Sequence, residues 1–176
     1  MYRIITLFIF QFFLLSVAFG QEYPVIKSYG GIYDIPNPDE KPDKTLIYNI
    51  VIDVKYKSKP EEVNYGLENI ARMVNLHALG GVEMKNMNVV VAIHGSSTMS
   101  ILSNAAYQKK YGIDNPNIPL INELVAAGIK LYVCGQSLKA RNVHVEDVYG
   151  EVGKSLSALT ILTTYQLRGY SLLTFQ

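Results

Sequence analysis

The stretch IKLYVCGQSLKAR, Ile129–Arg141, decides how this chain is read. Ile129 to Val133 form a short apolar run with strand character. Gly135-Gln136-Ser137 then supply a turn residue and a helix cap before Leu138-Lys139-Ala140-Arg141. The single cysteine, Cys134, therefore falls where a strand passes into a helix. Unsatisfied backbone N–H groups and the positive end of a helix dipole at such a junction favour thiolate over thiol. The carboxyl ends of strands in an open α/β sheet are also where ligands bind. The alternative for a cysteine between Val133 and Gly135 is a small packed hydrophobe.

Working outward, strand and helix patterns alternate from Thr45 onward, which predicts an α/β domain with a mainly parallel sheet and crossover helices. Leu46 to Val54 (LIYNIVIDV) is a near-continuous β-rich run, as expected of a strand buried on both faces. Pro60-Glu61-Glu62 is read as opening a helix, with Val63, Leu67, Ile70, Val74 and Leu79 at helical spacing and Gly80-Gly81 as its stop. Met87 to Ile93 (MNVVVAI) is the second strand, followed by His94-Gly95-Ser96-Ser97 and a helical stretch from Thr98 to Tyr111. A helix over Leu120–Ala127 precedes the third strand, Ile129–Val133. His144 to Tyr149 predicts a helical turn, and a brief strand is expected near Val152. Ser155 is read as capping a helix through Leu167, and Tyr170 to Phe175 is the last of about five strands.

The chain divides into three segments. Residues 1–20 carry Arg3, an apolar run from Ile4 to Phe19 and the ending Ala18-Phe19-Gly20, the pattern of a secretory signal peptide cleaved before Gln21. That run is short for a membrane anchor, so the expectation is an exported, periplasmic or secreted protein with no stable membrane insertion. Residues 21–44 hold Pro24, Pro36, Pro38 and Pro42 with Gly30 and Gly31, and are read as an extended arm whose tyrosines lie on its own domain or on a neighbouring subunit, a disordered tether being the alternative. Residues 45–176 form one domain.

Sixteen basic and fifteen acidic residues give a net charge of +1 without a basic patch, so no nucleic-acid partner is expected. Three scattered histidines and no CxxC or HxxxH spacing predict no metal site. No GxGxxG or P-loop follows a strand, so no nucleotide cofactor is expected, and Gly95-Ser96-Ser97 is not the GxSxG elbow of a hydrolase. An unpaired thiol in an exported protein is either buried, paired across subunits, or used.

NLHALGG, VVVAIHG, YVCGQSLKAR and TILTTYQLRGYSLLTF occur in the order found in the DsrE/DsrF-like family of small α/β sulfur-relay proteins, and the chain resembles that family, particularly its exported branch, from Thr45 onward. The resemblance implies a Rossmann-like three-layer α/β/α domain assembled into trimers or hexamers. It also implies that Cys134 carries persulfide sulfur between a donor and an acceptor that the sequence does not identify.

His94 ends one strand as Cys134 ends another, so the two side chains are candidates for a catalytic dyad in which imidazole takes the thiol proton or lowers its pKa. A histidine hydrogen-bonded in the turn before Gly95 is the alternative. Gly95 and Ser96 offer N–H and hydroxyl groups to an anion, or simply form a turn and cap. Gly135, Gln136 and Arg141 follow the cysteine, and Arg141 either holds a sulfur oxyanion or carboxylate or lies on a solvated helix face. Ile101 and Leu102, apolar beside a polar turn, are expected at a subunit contact. Two functions follow: a persulfide carrier built on Cys134, or a non-catalytic oligomeric small-ligand binding module with a structural cysteine. A thiol hydrolase lacks an evident acid to orient His94.

Overall fold

Two β-branched runs, Tyr48–Val54 (β1) and Met87–Ile93 (β2), lie side by side in parallel register, Tyr48 against Met87 through Val54 against Ile93. They are the centre of a five-stranded sheet completed by Lys130–Cys134 (β3), Gly153–Ser155 (β4) and Ser171–Phe175 (β5), in the order β4-β3-β2-β1-β5. All four pairings are parallel. This computed structural model describes residues 20–176; the segment read as a signal peptide lies, but for Gly20, outside them.

The helices are Tyr65–Leu79 (α1), Asn104–Tyr111 (α2), Ile118–Ala126 (α3), Gly135–Ala140 (α4) and Ala158–Leu167 (α5). From β1 to β4 the chain steps across the sheet in one direction, then returns to the far side of β1 for β5. Right-handed crossovers therefore put the early helices on one face and α5 on the other. On the first face Ile52, Val91 and Val133 pack with Leu67 and Val74 of α1 and with Leu120 and Ile121 of α3. On the second face Val51, Val90, Ala92 and Cys134 pack under Ala158 and Ile161 of α5. Successive strand residues alternate between the two clusters, as the pleat requires. The result is the expected Rossmann-like three-layer α/β/α domain.

Several boundaries differ from the sequence reading, each for a local reason. Helix α1 starts at Tyr65, not Pro60, because the side chain of Asn64 accepts the Leu67 N–H at 3.2 Å and caps it there. Pro60 stays in the preceding turn, its carbonyl accepting the Tyr107 hydroxyl at 2.8 Å. The helix expected over Thr98–Tyr111 is divided: Gly95–Ile101 is a 3-10 segment, and α2 begins after its own cap, Ser103. Helix α5 is capped by Ser157 rather than Ser155, whose hydroxyl donates to the Val133 carbonyl at 2.9 Å. Ile101 and Leu102 are buried within the chain, so they do not supply the expected subunit contact.

The arm packs on its own domain. Ile26 and Ile32 are buried, and Asn75 of α1, fully buried, holds the arm's backbone. Its Oδ1 accepts the N–H groups of Val25 and Ile26 at 3.0 and 2.9 Å, while Nδ2 donates to the carbonyls of Ile26, Tyr29 and Gly30. Removing that amide strands several backbone groups in a buried site. Asn75→Ala is therefore expected to lower the unfolding free energy by about 2–4 kcal/mol in urea titration.

Candidate functional site

Strand β3 delivers Cys134 to the carboxyl edge of the sheet, on the face covered by α5. The side chain is 4% exposed, because the first turn of α5 sits over it. Its Sγ lies 4.0 Å from the hydroxyl of Ser157, the α5 cap, which also accepts the Leu159 N–H at 3.2 Å. Cys134 itself stands at the cap position of α4. The first turns of two helices thus converge on one sulfur. Burial pushes the thiol up, but the Ala158 N–H, the hydroxyl and N–H of Ser137, and the Ser157 hydroxyl together outweigh it and hold the thiol below its ordinary value.

Gly135 is required by close approach: a Cβ there would lie 2.7 Å from the Ser155 carbonyl oxygen of β4. Gln136 turns outward and donates to the Leu156 carbonyl at 3.4 Å. His94 extends the β2 ladder by one residue, its N–H donating to the Val54 carbonyl at 3.1 Å. Strand alternation then places its imidazole on the same face as Ala92 and Cys134, and Asp53 of β1 on that face beside Val51. His94 Nε2 meets Asp53 Oδ1 at 2.6 Å, both side chains being half-buried.

Asp53, His94 and Cys134 therefore stand at the ends of three adjacent strands. No hydrogen bond joins His94 to Cys134 among the described residues; each has another partner. The link between the two strand ends is Ser137, whose hydroxyl accepts the Gly95 N–H at 3.2 Å and donates toward the sulfur. Gly95 has φ +57°, and a Cβ there would sit 2.7 Å from Lys55 Cγ. Ser96 and Arg141 line a separate cavity, with neither His94 nor Cys134 in its walls.

Three residues at this site escape the sequence reading. Asp53 is the one acid inside the β1 run, a signal that a charged side chain in an otherwise apolar strand has a partner. Ser137 is visible only as a cap, and Ser157 lies two positions beyond the expected one. Among the described residues no group of three or more His, Cys, Asp or Glu side chains is placed to hold a metal, and no helix is long and apolar enough to cross a membrane.

The family model for the DsrE/DsrF-like family matches residues 47–175. The chain belongs to that family. DsrE/DsrF-like proteins are associated with sulfur relay in general. The fold is similar to that of MTH1491, a protein of unknown function from Methanobacterium thermoautotrophicum, with a TM-score of 0.54 and 16% identity over 73% of this chain and 99% of that one. The YchN protein from E. coli is also similar, with a TM-score of 0.47 and 15% identity over 72% of this chain and 99% of that one. No curated protein matches the chain.

A depressed native pKa means that the folded state favours thiolate. The resulting stabilisation is fully present above the ordinary thiol pKa, about 8.5, and is lost as pH falls through the lowered one. Two outcomes follow: the alkylation rate of Cys134 has its midpoint below that of a free thiol, and Ser137→Ala moves the midpoint upward. Iodoacetamide rates across pH check both.

Proposed function

We propose that Cys134 accepts, holds and passes on sulfane sulfur in an exported DsrE/DsrF-like homo-oligomer. The observation that supports this reading is the convergence of two backbone N–H groups and two serine hydroxyls on the one thiol, which favours the nucleophilic thiolate. In the first step the thiolate attacks the outer sulfur of a persulfide, R–S–SH. A new Sγ–S bond forms, the donor S–S bond breaks, and R–S⁻ leaves with the bonding pair, giving Cys134–S–SH. An acceptor thiolate then attacks the outer sulfur, takes it as R′–S–SH and returns Cys134 as thiolate. The hydrogen bond between Asp53 and His94 on the neighbouring strands supports a proton-transfer role for that pair in this reading.

Burial of the thiol favours a second reading, a binding module in which Cys134 is packed. Intact mass after polysulfide separates the two. The carrier gains the mass of one sulfur, lost again on reduction, and Cys134→Ser gains none; a wild-type chain that gains none while folded is a binding module.

Assembly is supported by the apolar surface around α5, where Leu156, Leu159 and Leu167 are 73%, 74% and 90% exposed. A second copy, in a trimer or hexamer, is the occupant this reading assigns. Leu159→Glu is expected to shift light scattering toward the monomer without unfolding the chain, since the side chain makes little contact within it. Export is part of the same reading, and a mature N-terminus at Gln21 checks it.

A further inference from the structure

A cavity of about 300 Å³ opens beside the turn that follows β1, and none of its walls belongs to the thiol site. Lys57, Lys59 and Arg141 line it together with a single carboxylate, Glu62, which pairs with Lys59 at 3.0 Å. Three cations against one acid leave an excess of two positive charges. The hydroxyl residues Ser58, Ser96 and Ser100 also face it. Among the described residues, the Ser58 Oγ is the buried side-chain polar atom without a hydrogen-bond partner. A buried hydroxyl left unpaired is costly, and an acceptor bound in the cavity whose wall Ser58 forms would relieve that cost.

Of the remaining walls Asn117 is polar, and the others are apolar or aromatic. Met99 and Tyr111 line the cavity, and Tyr107 closes it with its hydroxyl already donated to the Pro60 carbonyl at 2.8 Å. Burial pushes the Tyr107 phenol up to about 12, so this wall adds no negative charge near neutrality. The volume is larger than a bare oxyanion fills, and its chemistry is divided between a cationic, hydroxyl-bearing part and an apolar part.

We propose that this cavity binds a small phosphate monoester, its dianionic headgroup taken by Lys57, Arg141 and the Ser58 hydroxyl and its organic body lying against Met99 and Tyr111. The site is independent of sulfur chemistry at Cys134. Calorimetric titration of the full chain at fixed ionic strength, with phenyl phosphate, inorganic phosphate and benzyl alcohol as probes, tests it. Phenyl phosphate is expected to bind several-fold more tightly than inorganic phosphate, and the neutral alcohol not at all. Arg141→Ala and Lys57→Gln, on separate segments, should each weaken the ester about tenfold, and Ser58→Ala about threefold or more. Cys134→Ser should bind it as the wild type does, which keeps this result apart from the persulfide reading. Absence of binding, equal affinity for inorganic phosphate and the ester, or undiminished binding by both charge variants overturns the proposal.

Discussion

A parallel sheet needs both faces covered, and the order β4-β3-β2-β1-β5 distributes that cover unequally. Three successive crossovers in one direction stack α1, α3 and α4 on one side, where the large core forms. The single return crossover leaves α5 alone on the other, over a small cluster that includes Cys134. The asymmetry sets the rest of the molecule: it brings the start of α5 onto the sulfur, and it leaves the outer side of α5 apolar and uncovered.

At the thiol, two opposed effects meet. Desolvation alone favours the neutral form, and a cysteine packed against Val51 and Ala92 without donors would be inert. Backbone N–H groups from the two helix starts, together with the Ser137 and Ser157 hydroxyls, reverse that preference; the N–H groups are fixed in direction and need no reorganisation when charge appears. The same turn that donates also shields. Stabilised charge and restricted access are thus produced by one piece of backbone.

Much of the fold is legible in the sequence because the strands are apolar runs bounded by turn residues: β2 is read to the residue, and β3 and β5 within one residue at each end. Cap positions are less so. Asn64 and Ser157 win over Pro60 and Ser155 because their side chains accept the N–H groups of Leu67 and Leu159, which periodicity does not encode. The docking of the arm depends on Asn75, a polar residue on the buried side of α1 that reads as an interruption until its five backbone partners are known. At the site, Cys134 is visible from its junction and His94 from its strand end. Asp53 is not, because its pairing with His94 spans 41 residues of sequence and depends on strand order.

Helix α5 has one end on the sulfur and one side open to solvent. Any partner that seats on Leu159 touches the element whose first turn supplies the Ser157 hydroxyl and the Ala158 N–H. Thermodynamic reciprocity then applies: if seating changes the proton affinity of Cys134, ionisation of Cys134 changes the affinity of the seated partner by the same factor. The ionisation state of the thiol and the affinity of whatever seats on Leu159 are then two readings of one helix.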